Sequence, residues 1–199
     1  MLNAALIVAA YLMGSLPCGY LLGKYIWRID IRTQGSRNIG ATNLARVVGK
    51  PWGAFAFVLA FLLDFGKGFL AVWLARWHSD WPWLGVATGL AVIAGHNWTV
   101  FLGFKGGKGV ATSIGVLTCL VPKGAGVALL AFLLCFGATR IISLSSLVAA
   151  VVLPLVAANL QPLPPRPFLI FIALVSILVI VRHRSNISRL LRGTEKKIF

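Results

Sequence analysis

The sequence predicts an all-α integral membrane protein of about seven transmembrane helices, its N-terminus outside and its C-terminus cytoplasmic. Three observations carry that expectation. Of 199 residues, 59% are hydrophobic and 12% charged, where a soluble domain carries about 25% charged residues. The polar residues are clumped between long apolar runs, which a bilayer accepts and a water-soluble core does not. The basic residues also fall unequally on alternate loops, as the positive-inside bias requires.

The apolar runs lie near 3–23, 53–75, 82–102, 110–121, 124–138, 147–161 and 167–181. About twenty such residues cross the hydrocarbon core. The first run has no basic residue before it and no soluble domain after it, so it reads as an uncleaved span rather than a signal peptide. The fourth and fifth are short and split by Pro122 and Lys123. They form either a tight hairpin of two tilted spans or a re-entrant pair, and both return the chain to the side it left. The Pro-rich stretch 161–167 reads as a stiff outside turn. The chain reads as one polytopic domain, 1–199, with no internal repeat and no soluble appendage.

With the N-terminus outside, the inside loops hold Lys24, Arg28, Arg32, Arg37, Arg46, Lys50, Lys105, Lys108 and Arg140. The tail adds Arg182, Arg184, Arg189, Arg192, Lys196 and Lys197, making fifteen basic residues inside. Outside there are three, Arg76, Lys123 and Arg166, and Lys67 falls within a span. Fifteen against three sets the orientation. The net charge of +15, with only Asp30, Asp64, Asp80 and Glu195 opposing, follows from the same bias rather than from nucleic-acid binding. Such a surface attracts anionic head groups and anionic substrates. Cys18, Cys119 and Cys135 sit in apolar runs without a CxxC pair or a ligand-spaced His, so they read as packing residues, with no disulfide and no zinc site.

The first inside loop contains Gly35-Ser-Arg-Asn-Ile-Gly-Ala-Thr-Asn43, then Arg46. Ser, Asn and Gly dominate ordinary turns, but hydroxyls, amides and an Arg together also suit a polyoxygen anion. The second loop is sharper: Gly95-His-Asn-Trp98, then Gly103-Phe-Lys-Gly-Gly-Lys-Gly-Val-Ala-Thr112. Glycines let successive backbone N–H groups converge on an anion, and the span beginning near Val110 supplies a helix N-terminus. It is not a Walker A motif, because Lys108 stands where the second Gly belongs and no strand precedes it. The pattern implies a phosphate cradle, not a nucleotide. The third region is Arg140-Ile-Ile-Ser143-Leu-Ser145-Ser146, and the last is Arg182-His-Arg-Ser-Asn-Ile-Ser-Arg189. His183 and Asn186 share a helix face, which by itself reads as interfacial snorkelling. Asp64 and Lys67 lie mid-span at i and i+3. Charges there cost about 2.5–3.5 kcal/mol each, so they are functional candidates by default. They read here as a paired structural brace.

Taken together, Gly35–Asn43 with Arg46, Asp64-Phe-Gly-Lys67-Gly68, Gly95-His96, Phe104–Thr112, Ser143, Arg182-His183 with Asn186-Ile187, and the tail Arg189–Glu195 resemble the bacterial acyl-phosphate:glycerol-3-phosphate acyltransferase family (PlsY) over nearly the whole chain. The resemblance implies transfer of a fatty acyl group from acyl phosphate to the 1-hydroxyl of sn-glycerol 3-phosphate. The products would be lysophosphatidic acid and phosphate, in phospholipid biosynthesis. It implies a multi-pass protein of the bacterial inner membrane with its active site facing the cytoplasm, independent of acyl-CoA and needing no metal or other cofactor. Its partners would be the two phosphate substrates and the lipid bilayer, with no nucleic acid. As catalytic residues it implies Ser36, Arg46, His96 and Lys105. As substrate-binding residues it implies Asn38, Thr42, Asn43, Gly106, Gly107, Lys108, Gly109, Ser143, His183 and Asn186. Arg37 departs from the family's frequent Gly, Ile39 from its common Pro, and Ser185 from a frequent Glu.

The acyltransferase signature His-x4-Asp is absent: Trp83, Phe101 and Ser188 stand five residues after His78, His96 and His183. The expected mechanism therefore lacks that dyad, and the proton acceptor is either a His or the substrate's own phosphate. A small channel or carrier for phosphate-like anions would need polar residues lining a path through the spans. Asp64 and Lys67 apart, the spans hold almost none, and the polar groups cluster on one face, which favours an enzyme.

Overall fold

The computed structural model describes residues 1–159 and 162–198. It contains α1 (Leu2–Ser15), α2 (Cys18–Tyr25), α3 (Ala41–Val48), α4 (Gly53–His78), α5 (Pro82–Asn97), a 3-10 turn (Val100–Leu102), α6 (Val110–Leu120), α7 (Pro122–Thr139), α8 (Ile142–Ala157), α9 (Arg166–Arg182) and α10 (Arg184–Leu191). No strand occurs among the described residues. Of the Pro-rich turn expected at 161–167, Gln161 lies outside the described residues, and α9 already starts at Arg166.

Three segments, Gly53–His78, Trp83–Leu102 and Pro122–Thr139, are long and apolar enough to cross a membrane. Counting each bent pair, α1 with α2 and α9 with α10, as one span makes five, and α6 and α8 are shorter apolar helices. The expected first span is broken rather than continuous. The chain bends 40° between Ser15 and Cys18, where Pro17 can neither donate to the helical ladder nor leave the preceding residue in helical geometry. Leu16 is extended there (φ −60°, ψ 114°), which turns its carbonyl out of the helix.

The chain divides into two compact units, Met1–Val116 and Leu117 onward. In the first, α1 packs on α5 and α4 on α3, α5 and α1. Backbone approaches backbone at glycines. A Cβ at Gly14 would overlap the Val92 carbonyl, and one at Gly95 the Tyr11 carbonyl. Where α4 meets α6, a Cβ at Gly68 would overlap Thr112 and one at Gly115 would overlap Phe65. Small residues permit such contact where lipid supplies no hydrophobic drive for helix association. Beneath the first loop, fully buried Ile31, Leu44, Ala56 and Ala60 form a small core with Leu22, Trp27 and Ile29 against it. In the second unit α8 packs on both α7 and α9, burying Ala128, Ala150, Leu153, Phe171, Ile172 and Val175. Leu62, Leu63 and Leu70 of α4 and Leu130, Leu133 and Leu134 of α7 face outward, as lipid-facing positions do.

Candidate active site

The first loop is built around Asn43. Its side chain is 1% exposed. It accepts from the Ser36 N–H at 2.7 Å and donates to the carbonyls of Ile31 at 2.7 Å and Gln34 at 3.2 Å. Those bonds take up the amide, so Asn43 shapes the loop rather than facing a ligand. Gly35 is required twice: its φ is +59° and a Cβ would overlap Asn43 Oδ1. Asn38 Oδ1 accepts from the Gly40 N–H at 2.9 Å, an Asx turn that leads into α3. Ser36 is left exposed, while Thr42 and Arg46, in the first and last turns of α3, are half-buried. Arg37 has φ +58°, a left-handed conformation that Gly adopts without steric cost.

The second loop lies on His96. The Gly107 N–H donates to the His96 carbonyl at 2.9 Å. A Cβ at Gly106 would overlap that carbonyl, and one at Gly107 would overlap His96 Nε2. The loop's base is pinned further: Thr99 Oγ1 donates to the Ser15 carbonyl at 2.5 Å and Tyr11 to the Trp98 carbonyl at 2.8 Å. Gly103, Phe104 and Gly109 all have positive φ. Lys105 is exposed and Lys108 half-buried. The loop feeds straight into α6, whose first turn carries Thr112 and Ser113. Their hydroxyls are buried with no hydrogen-bond partner among the described residues. In the sequence Thr112 closes the glycine motif, whereas Ser113 reads only as the start of an apolar span.

The expected Asp64–Lys67 brace is present, with Lys67 Nζ 2.7 Å from Asp64 Oδ1. Lys67 also donates to the Leu16 carbonyl at 2.9 Å, in the break between α1 and α2. The same Asp64 oxygen lies 3.5 Å from His96 Nδ1, within ion-pair reach but long for a hydrogen bond. All three side chains are at most 6% exposed. The His-x4-Asp motif is absent from the sequence, yet an Asp and a His meet in space from α4 and α5.

In the second unit, Ser143 of α8 and Asn186 of α10 donate to Glu195 Oε1 at 2.8 and 2.7 Å. Arg189 Nε donates to Oε2 at 2.5 Å. The Glu195 side chain is 2% exposed. Burial pushes its carboxyl up, but the bonds from Arg189, Ser143 and Asn186 outweigh that and hold it below the ordinary glutamate range. His183 is buried, its Nδ1 2.8 Å from the Val179 carbonyl. Among the described residues no group of three His, Cys, Asp or Glu side chains gathers as metal ligands would.

The chain's residues 4–193 match the family model described as glycerol-3-phosphate acyltransferase. A glycerol-3-phosphate acyltransferase of Prochlorococcus marinus (strain MIT 9215) is 43% identical, with 99% of this chain and 98% of the relative aligned. One from Synechocystis sp. (strain PCC 6803) is 46% identical over 100% of this chain and 91% of its own. Two crystal structures of PlsY (YgiH), an integral membrane glycerol 3-phosphate acyltransferase, share the fold. Its glycerol 3-phosphate form superposes with TM-score 0.90 at 38% identity, covering 100% of this chain and 96% of that one. Its lysophosphatidic acid form superposes with TM-score 0.87 at 37% identity, covering 99% and 95%. Helical architecture, loop chemistry and relatives agree, and the chain belongs to the glycerol-3-phosphate acyltransferase family of integral membrane enzymes.

Proposed function

We propose that the chain transfers a fatty acyl group from acyl phosphate to the 1-hydroxyl of sn-glycerol 3-phosphate, releasing lysophosphatidic acid and inorganic phosphate. The observation that carries this reading is the glycine loop 103–109, laid across His96 at the start of α6 with Lys105 and Lys108 within it. Backbone N–H groups at a helix N-terminus with lysines beside them suit phosphate, and both substrates are phosphates. Support for the substrate and product also comes from the PlsY neighbour, described in a glycerol 3-phosphate form and a lysophosphatidic acid form.

In this reading Arg46 and Lys105 hold the phosphate of glycerol 3-phosphate, with Thr42 and Asn38 bordering the first loop. Ser36 and the glycine loop at 106–109 hold the leaving phosphate and the developing oxyanion. Ser143, His183 and Asn186, expected as substrate contacts, lie in the second unit, where Ser143 and Asn186 donate to Glu195 and His183 faces the Val179 carbonyl. The 1-hydroxyl oxygen attacks the acyl carbonyl carbon, and the bond from that carbon to the phosphate oxygen breaks. The hydroxyl proton passes to a phosphate oxygen of the substrate, since both ring nitrogens of His96 face protein groups. Acyl phosphate is an activated mixed anhydride, so positioning supplies most of the rate.

About seven apolar segments make up one domain in the bacterial inner membrane, N-terminus outside, with 110–138 either a hairpin of two tilted spans or a re-entrant pair and the loops of the site in the cytoplasm. The basic bias of the loops supports that orientation. The test is phosphate release by purified protein in lipid, given palmitoyl phosphate with and without glycerol 3-phosphate, and palmitoyl-CoA as rival donor. Release that needs both substrates and ignores the CoA ester is expected, and use of the CoA ester would refute the donor. Arg46→Ala should raise KM for glycerol 3-phosphate steeply in folded protein, and an unchanged KM removes that assignment.

A further inference from the structure

The glycine loop rests on a support that reaches into the helices. Its Gly107 N–H bonds the His96 carbonyl, and the Gly107 Cα sits against His96 Nε2 so closely that a side chain there would overlap the ring. The opposite edge of the ring, Nδ1, faces Asp64 Oδ1 at 3.5 Å. Asp64 is held in turn by Lys67 at 2.7 Å, and Lys67 by the Leu16 carbonyl at 2.9 Å. This continuous series runs from the α1–α2 break through α4 and α5 to the loop, and the side chains of Lys67, Asp64 and His96 in it are buried.

We propose that Asp64 is a positioning residue for the acyl transfer, acting through His96 to hold the glycine loop and its Lys105 in register for phosphate. A lone pair on Nδ1 facing a buried carboxylate would be repelled, so Nδ1 carries the proton and Nε2 turns its lone pair to the Gly107 Cα–H. Asp64 thus selects both tautomer and ring angle, as a carboxylate behind a functional imidazole does. Lys67 neutralises the carboxylate and fixes its rotamer. A brace alone requires only Asp64 and Lys67. The placement of His96 on the same oxygen goes beyond bracing, because a ring that rotates about Cβ no longer supports Gly107.

The inference rests on the reading of the 103–109 loop as a phosphate cradle, and the experiment separates the two. Asp64→Asn leaves Lys67 charged and buried, so it is paired with Lys67→Met in a double variant that leaves no lone charge. In protein whose melting shows it folded, the double variant should raise KM for glycerol 3-phosphate tenfold or more, with the saturated rate within about threefold. A purely structural defect lowers the active fraction and so the rate, leaving KM in place. In a His96→Asn background the same two substitutions should shift KM no further. An unshifted KM in the folded double variant overturns the proposal, as does full additivity with His96→Asn. Lys105→Ala tests the cradle itself: if it leaves KM unchanged, the reading of the loop has failed, and not the support alone. Independently of any Asp64 or Lys67 variant, 15N-histidine NMR of the native protein in lipid should show the Nδ1–H tautomer for the resonance lost in His96→Asn. An Nε2–H signal there overturns the proposal.

Discussion

Glu195→Ala is the substitution whose cost the structure specifies most fully. The carboxylate, 2% exposed, is the shared acceptor for Ser143, Asn186 and Arg189 at 2.8, 2.7 and 2.5 Å. A hydrogen bond to a charged group contributes about 1.5–3 kcal/mol, but three bonds to one carboxylate are not additive. Stranding the partner of a buried pair costs about 3–5 kcal/mol. Arg189 is 35% exposed and can return to water, so the low end applies, about 3 kcal/mol. For a chain of this size that is about 6–12 °C in Tm, at about 2–4 °C per kcal/mol. Glu195→Gln keeps an acceptor for Ser143 and Asn186 but sets its amide NH2 against the Arg189 N–H, so it loses that one bond and should cost less than Glu195→Ala. The assay is thermal unfolding in detergent followed by tryptophan fluorescence. A Glu195→Ala melting point within a degree of the parent would refute the reasoning. The pH dependence has a definite sign. The folded carboxyl lies below its ordinary 4.5, so its contribution is complete above that value and is lost as pH falls through the folded pKa. Below pH 4.5 the parent should lose stability that Glu195→Gln does not lose.

Lys67→Met alone removes the cation paired with the buried Asp64 and should cost about 3–5 kcal/mol, and adding Asp64→Asn should recover most of it. Differential melting checks this, and a single variant as stable as the parent would show that the pair is not a brace. Gly107→Ala drives a Cβ into His96 Nε2, so kcat/KM should fall about a hundredfold, since a displacement of about 1 Å at a positioning group costs that much. Wild-type kinetics would mean that the loop does not sit on the ring during turnover. Arg37 has φ +58°, and an L-residue in left-handed geometry costs about 1–2 kcal/mol. Arg37→Gly should therefore gain about 0.5 kcal/mol after the entropy of Gly is charged against it. A melting point several degrees lower would show that the arginine side chain makes up for its strain.

The helices were legible because apolar runs report burial in lipid directly, but their ends were not. The run expected at 147–161 belongs to a helix that starts at Ile142. Ser145 and Ser146 bond back to the carbonyls of Ile141 and Ile142 at 2.9 Å each, so these hydroxyls extend the helix where a hydropathy count sees a polar loop. The first run hid a break for the converse reason. Pro17 is apolar and disappears into the average, although it alters backbone geometry more than any charge would.

The site divides along the same line. The glycine loop could be read from the chain because Gly and Lys are residues whose spacing alone constrains what the backbone can do. The Asp64–Lys67 pair was legible because i and i+3 share a helix face. What adjoins that pair was not: His96 is on another helix, and only the α4–α5 packing brings its ring to the carboxylate. Asn43 shows the limit from the other side. A polar loop gathers amides whether they point at a ligand or inward at carbonyls, and its composition is the same in both cases. The Asn43 side chain points inward, to Ile31 and Gln34, and the exposed Ser36 is carried by the N–H that Asn43 accepts. Such a loop can hold two populations of polar residues, one left exposed, as Ser36 is, and one bonded inward that holds the first in place. Asn43 belongs to the second, and Asn43→Ala should shift KM for glycerol 3-phosphate through the displaced Ser36 rather than by removing a contact.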